Sequence, residues 1–317
     1  MSKKKVVVIG GGNGSAISIV ALKQNLDLFD ISAVISMSDS GGSSGRLREE
    51  FNTLPPGDIM RAVLALSKYD YPLLKQIFFR NRFSGAGKLD GHNLGNLALI
   101  LGEKYDGDFM SAIRALEQSM EAIGHAYPAT LDKTDLCAEL DDGEIVKGEA
   151  KLDKPTYDPV RRIKEASLEP AGQIFAGAKE AIESADYIIF GPGSLYTSII
   201  AAILPQGVKE AINKSKAELV YVTGDAYVKG GESCPATLSE TIRALEQYLP
   251  RLVDHAVYNN VVLSAEHQAL YKQKHWVSLV DDVENQKEMN IIKADYERAG
   301  GGLCSVKLGK ILQNILV

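Results

Sequence analysis

Short β-branched runs without polar alternation, helical segments between them, and two glycine-rich loops each set directly after such a run predict an α/β fold. The expected architecture is a three-layer, Rossmann-like, mostly parallel sheet with helices on both faces and an inserted β-hairpin. The first run is Val6-Val7-Val8-Ile9, which reads as a strand buried on both faces. Glycines follow, and Ala16 to Leu26 then shows helical apolar spacing. Ile31 to Ile35 reads as a second buried strand, and Ser36 to Gly45 as a loop of serine and glycine. Asp58 to Ser67, with Asp58 as its cap, and Tyr71 to Phe79 read as helices, as do Leu94 to Leu101 and Phe109 to Ile123.

The middle of the chain changes period. Thr134 to Leu140 alternates, Asp141-Asp142-Gly143 is a turn signal, and Glu144 to Lys151 alternates again, which predicts a hairpin. Val160 to Leu168 reads as a further strand, so the insertion spans about residues 127 to 170 within one domain covering 1–317. The βα rhythm resumes with a helix over Ile174 to Ser184, a strand over Tyr187 to Phe190, a glycine loop and another helix. Glu218 to Val222 and His255 to Tyr258 read as strands of the same sheet, and Ser305 to Leu316 as a closing helix.

Composition narrows the function classes. The 317 residues are 45% hydrophobic and 24% charged, enough to bury a sizeable core without disulfide or metal staples. The formal net charge of -6 gives no broad basic field for nucleic acid or an anionic membrane. Cys137, Cys234 and Cys304 stand far apart, form no CxxC pair and fit a reducing compartment. The apolar run after Lys3-Lys4-Lys5 is too short for a signal peptide, and the stretch from Tyr187 to Leu204 is broken by Gly191, Pro192, Gly193 and Ser194. A cytoplasmic protein without a membrane span is expected.

Five motifs carry the chemistry. Gly10-Gly11-Gly12-Asn13-Gly14-Ser15 follows the first strand and opens a helix. Glycines there let the backbone approach a phosphate, and the helix start offers free N–H groups and a positive dipole end. Ser15 stands where the dinucleotide pattern wants glycine, and Ser36-Met37-Ser38 where it wants an acidic residue, so NAD is poorly supported. The second motif runs from Ser38 to Arg48. Ser40, Gly41, Gly42 and Ser43 supply donors, Arg46 can fork onto a phosphate, Arg48 balances Glu49 and Glu50, and Asp39 can hold a metal ion or orient a hydroxyl. Third, Pro55-Pro56-Gly57-Asp58 precedes Arg61 at helical spacing. Fourth, Gly91-His92-Asn93-Leu94-Gly95-Asn96 places His92, Asn93 and Asn96 on one helical face, where asparagines also serve as caps. Fifth, Gly191, Gly193, Ser194, Tyr196 and Thr197 repeat the first loop's logic on a second strand, and two such loops would meet at a switch point of the sheet. A P-loop signature is absent, as is a Ser/His/Asp order.

GGGNG, DSGGSSGRLR, PPGD, GHNLGN and GPGSLYTSI, in this order, resemble the YvcK/CofD family, with further likeness at Pro128-Ala129-Thr130 and Asn259-Asn260. The likeness covers residues 3 to about 262. Asn13, Ser40 and Gly231-Glu232-Ser233 depart from the family pattern, where threonine, a second aspartate and Pro-Gly-Glu-Thr are usual. The resemblance implies a binding protein for UDP-sugars such as UDP-N-acetylglucosamine, tied to gluconeogenic growth and cell shape, with no cofactor required and a homodimer expected. The other branch implies a 2-phospho-L-lactate transferase acting on a deazaflavin alcohol with magnesium. Ser40 in place of a carboxylate weakens the magnesium site that such a transferase needs.

Overall fold

The computed structural model describes residues 2–158, 160–224, 226–228, 231–232, 235–283 and 289–317. Ser233 and Cys234 lie outside the described residues. The strands in chain order are β1 (Lys4–Gly10), β2 (Phe29–Ile35), β3 (His125–Pro128), β4 (Asp135–Leu140), β5 (Ile145–Lys147), β6 (Ile163–Glu169), β7 (Tyr187–Phe190), β8 (Glu218–Val222), β9 (Tyr227–Val228), β10 (His255–Asn259), β11 (Trp276–Val277) and β12 (Asn290–Ala294). Among the described residues, seven of them form one parallel sheet in the order β12-β10-β8-β7-β1-β2-β3.

The unalternating run in β1 is explained by its two covered faces. Val6 and Val8 belong to one hydrophobic cluster and Val7 and Ile9 to the other, and all four are 0–2% exposed. Each such side chain contributes about 1.5–3 kcal/mol when fully buried. Helices α1 (Gly12–Leu22), α2 (Gly42–Phe51) and α3 (Gly57–Leu66) follow the first two strands. α1 packs on α3 and on the closing helix Ser305–Leu316, covering one face. Ala178, Ile182, Val208, Ile212, Leu238 and Ile242, from three further helices, cover the other.

Strand order reverses between β1 and β7. From β1 the chain moves outward to β2 and β3, then returns to the other side of β1 and continues through β8, β10 and β12. The two glycine loops follow the two strands at this switch point and so lie side by side at the carboxyl edge. Ser18 Oγ of α1 donates to the Gly191 carbonyl at 2.8 Å, tying helix and second loop together. A Cβ on Gly14 would overlap the Pro192 carbonyl, so the first loop touches the second only because residue 14 lacks a side chain.

Several expectations are corrected. β4, β5 and β6 make a three-stranded antiparallel sheet, with β6 starting at Ile163, not Val160. Its apolar side chains Leu136, Ala138 and Ile163 belong to the same cluster as Ile9 and Ile188 of the main sheet. The second hairpin strand stops at Lys147. Gly148 adopts φ 109°, which only glycine takes readily, and Glu149–Asp153 is a helix. Asp58 is not a helix cap: Pro56 holds that position without a side-chain bond, and Asp58 sits inside the first turn, paired with Arg61. The helix expected over Tyr71 to Phe79 is capped by Asp70 and becomes a π-helix over Gln76–Arg80. Arg48 does not balance Glu49 and Glu50; it donates to Asp135 Oδ1 and to the Thr134 carbonyl, both at 2.7 Å, bridging α2 to the hairpin sheet.

If the loop contact matters as described, Gly14→Ala overpacks it and lowers unfolding stability by about 1–3 kcal/mol. Gly300→Ala, with open space around its Cβ, leaves stability unchanged in the same denaturation experiment.

Candidate functional site

The sequence-predicted residues fall into two neighbouring groups. Asn13, Gly14, Gly193 and Ser194 line a cavity of about 590 Å³ beyond the carboxyl ends of β1, β7 and β8. Asp39, Ser40, Gly41, Gly42, Ser43, Arg46, Asp58, His92, Asn93 and Asn96 lie outside it, around the starts of α2 and α3. Gly11 and Gly12 stand at the boundary. A Cβ on Gly11 would be 2.6 Å from Asp58 Oδ2, and one on Gly12 3.8 Å from an Arg61 guanidinium nitrogen.

The cavity's cations were not legible in the motifs. Lys75, Arg80 and Arg298 line it. Lys75 Nζ donates to Asn13 Oδ1 at 2.7 Å and so reaches the first glycine loop directly. Burial, and then the charges of Arg61, Arg80 and Arg298, push Lys75 down to about 8. Three like charges around a half-buried ammonium mark a region of positive potential where an anion is strongly favoured. Arg298 comes from the tail after β12. Its Nε and a terminal nitrogen donate to the Gly301 carbonyl at 2.9 and 2.7 Å. The neighbouring Glu297, 2% exposed, holds that tail by accepting from Asn259 Nδ2 at 3.0 Å and from Tyr271 Oη at 3.1 Å.

Tyr196 and Thr197 sit after the second loop, and both side chains are buried. Their main-chain N–H groups donate to Glu232 Oε2 at 3.2 and 3.0 Å. In this structure, the amides expected to face a phosphate face a carboxylate instead.

The second group is built around Asp39. Its Oδ1 accepts from the Gly41 N–H at 2.9 Å, and a Cβ on Gly57 would stand 3.2 Å from its Oδ2. Ser40 does not offer its groups to open space. Its N–H donates to Glu149 Oε2 at 3.2 Å, and its Oγ accepts from the Ala150 N–H at 3.0 Å, docking the Glu149–Asp153 helix. Glu149 thereby brings a carboxylate to the loop that Ser40 itself lacks. Burial, then the charge of Asp39, pushes Glu149 up to about 8. Burial, then the charge of Asp58, raises Asp39. Asp58 is paired with Arg61 at 2.6 Å. Among the described residues, no three His, Cys, Asp or Glu side chains are arranged as a preformed metal site.

Ser43 Oγ pairs with His92 Nδ1 at 2.9 Å and accepts from Asn96 Nδ2 at 3.1 Å, all three residues being buried. Burial, then Arg46, lowers the His92 pKa, so the imidazole is neutral at pH 7. Asn93 caps its own helix, accepting from the Asn96 N–H at 2.8 Å. Arg46 is exposed, donates to the Asp90 carbonyl at 2.9 Å and does not line the cavity. Gly42, with φ 48°, has nothing within 4 Å of its Cβ position and stays open to solvent.

The site thus consists of paired glycine loops at the switch point of a parallel α/β sheet, a cavity with basic residues in front of them and a carboxylate cluster alongside. The family model described as 2-phospho-L-lactate transferase CofD matches residues 6–296, and the chain belongs to that family. A Thermotoga maritima relative is 41% identical over 281 residues, covering 89% of this chain and 87% of its own. The Bacillus subtilis protein named gluconeogenesis factor is 34% identical over 292 residues, covering 91% and 89%. A crystal structure of a Bacillus halodurans protein superposes with a TM-score of 0.89 at 33% identity, covering 100% of both chains. The chain is thus similar to the gluconeogenesis-factor branch. No helix among the described residues is long and apolar enough to cross a membrane.

Glu149 gives a pH prediction. Its pKa is higher in the folded chain than in the unfolded one, so the folded chain holds the extra proton between about pH 4.5 and 8. That stabilisation is complete below the unfolded value and is lost as pH rises through about 8. Thermal unfolding of the wild type is expected at a lower temperature at pH 8 than at pH 5.5, with a shallower fall in Glu149→Gln.

Proposed function

We propose that this chain binds a nucleotide sugar, with UDP-N-acetylglucosamine as the test ligand, and acts as a regulatory binding protein of the YvcK type. Its diphosphate would sit in the cavity against Asn13, Gly14, Gly193 and Ser194, facing Lys75, Arg80 and Arg298. The observation that carries this reading is the convergence of four basic side chains, Lys75, Arg80, Lys154 and Arg298, on one cavity that Asp153 and Glu232 also line and that two adjoining glycine loops front. The volume of about 590 Å³ suits a nucleotide-sized ligand. Tyr221, Tyr227 and Trp276 supply aromatic wall for a base or sugar ring. The relatives named gluconeogenesis factor support a role in growth on gluconeogenic carbon, and a role in cell shape is proposed from the family resemblance alone. In this reading the protein is a cytoplasmic homodimer and needs no cofactor.

The test is thermal unfolding with UDP-N-acetylglucosamine, GDP or NAD, with and without magnesium. A ligand at about 100 times its Kd stabilises by roughly 2.7 kcal/mol. UDP-N-acetylglucosamine is expected to raise the Tm with little effect of magnesium. Lys75→Ala and Arg298→Ala are each expected to weaken its binding roughly tenfold or more, about 1.4 kcal/mol. No shift with the UDP-sugar, or undiminished affinity in both variants, would contradict the reading.

A second reading, a CofD-like transferase, is favoured by one specific observation. Asp39, Asp58 and Glu149 crowd together, so the carboxylate missing at residue 40 is offset by two others. Magnesium commonly uses one or two carboxylates plus substrate phosphates, and this donor set fits it: Asp39 and Asp58 would hold the ion. When bound, the ion would neutralise charge on the transferring phosphate. Asp39 would also orient an acceptor hydroxyl, and Arg61 would hold Asp58 in place. Incubation with lactyl-diphosphoguanosine, a deazaflavin alcohol and magnesium, read by mass spectrometry, tests this. Product that disappears in Asp39→Asn establishes the transferase, and no product with any acceptor leaves the binding protein.

A further inference from the structure

Glu232 is a half-buried carboxylate that neither reading uses. It lines the cavity beside Gly193 and Ser194, and across from it stand Asn13 and Gly14 of the first loop. One oxygen, Oε2, takes both main-chain N–H groups of Tyr196 and Thr197. The charged and titratable groups lining the same cavity come from several segments, and Asp153 is the one whose charge acts on Glu232. Asp153 and Lys154 share its wall, Lys75 and Arg80 lie on the segment after α3, Arg298 is on the tail, and the phenols of Tyr221 and Tyr227 line the sheet side. A ligand diphosphate in the cavity against Gly14 and Gly193 would therefore enter beside a carboxylate of its own sign.

We propose that the cavity takes up its anionic ligand together with one proton, which Glu232 accepts from solvent and uses to donate a hydrogen bond to a phosphate oxygen. Protonation on Oε1 leaves Oε2 accepting from Tyr196 and Thr197, so the second loop keeps its shape while the wall loses a negative charge. The balance is simple: each chain in the carboxylate form takes one proton from solvent, about half a proton per chain on average at pH 7, no bond to phosphorus changes, and a like-charge contact becomes a hydrogen bond. The unliganded protein is already close to this exchange. Burial, opposed by the Thr197 and Leu195 N–H groups and aided by Asp153, pushes Glu232 up to about 7. A diphosphate diester has no proton of its own to gain or lose near neutrality, so the uptake belongs to the protein. At pH 7 Lys75, held near 8, is already mostly protonated and adds little.

This inference rests on the ligand reading above. The experiment is isothermal titration of the full chain with UDP-N-acetylglucosamine at pH 7, in buffers of widely different ionisation enthalpy. A pH series from 6 to 8 follows, for wild type and Glu232→Gln. The variant keeps a carbonyl oxygen for the two N–H groups and an amide donor for the phosphate. For the wild type, the observed enthalpy is expected to change with buffer in the direction of proton uptake. Its Kd should rise about tenfold from pH 6 to pH 8, following the loss of protonated acid. Glu232→Gln should bind at least as tightly as wild type at pH 7.5 and show no buffer dependence at pH 7. Only the smaller change from Lys75 should remain near pH 8. Buffer-independent binding by the wild type overturns the inference whatever the variant does. So does a buffer dependence unchanged in Glu232→Gln, or loss of binding by a folded variant. Absence of any UDP-sugar binding by the wild type, in contrast, removes the ligand reading itself and this inference with it.

Discussion

The contact between Gly14 and the Pro192 carbonyl is the constraint on which the site depends. It joins the loops of β1 and β7 where the strand order reverses, and it tolerates no side chain on residue 14. β1 and β7 are paired in register from Val6 with Tyr187 to Ile9 with Phe190, so both chains leave the sheet at the same height. Two helices then start within reach of one another, the second with its Tyr196 and Thr197 N–H groups taken by Glu232. The buried runs of β1 and β7 fix this geometry from below, and the Ser18 bond to Gly191 fixes it from the side.

Around that contact the charges separate only in part, because Asp153 and Glu232 line the cavity together with its cations. Cations gather in front of the paired loops, from the segment after α3 and from the tail. Carboxylates gather behind, at the starts of α2 and α3 and on the short helix after Gly148. The Arg61–Asp58 pair stands on the border, touching both Gly11 and Gly12. An anion held in front and a hard cation or a hydroxyl held behind would thus share the first glycine loop. Under the proposed readings, the cavity side would serve a nucleotide-sugar binder and the carboxylate side, with a metal and an acceptor, a transferase. The difference between the two lies in whether the carboxylate side is used.

The parallel sheet was legible because double burial removes polar alternation from β1, β2, β7 and β8, and the glycine loops stand out for want of side chains. The edge strands β3 and β12 were not, since His125–Pro128 is short and ends in proline, and Asn290–Ala294 is flanked by polar residues. The site was half legible. Asn13, Gly14, Gly193 and Ser194 belong to motifs, whereas Lys75, Arg80 and Arg298 are isolated basic residues that only tertiary packing brings to the loops. Glu149 read as part of an alternating strand, and the signal that could have shown otherwise was Gly148 breaking that alternation. Arg46 looked like the phosphate-binding arginine because it follows a serine–glycine loop. It projects from the outer face of α2 toward Asp90, so its neighbours in sequence are not its neighbours at the cavity.

The central claim is where a diphosphate sits. A crystal structure of the full chain soaked or grown with UDP-N-acetylglucosamine tests it most directly. Phosphate density is expected in the cavity against Gly14 and Gly193, within hydrogen-bonding distance of main-chain N–H groups there and of Lys75, Arg80 or Arg298. Density for the diphosphate against Ser43, Arg46 and His92 instead, with the cationic cavity left to water, would contradict it.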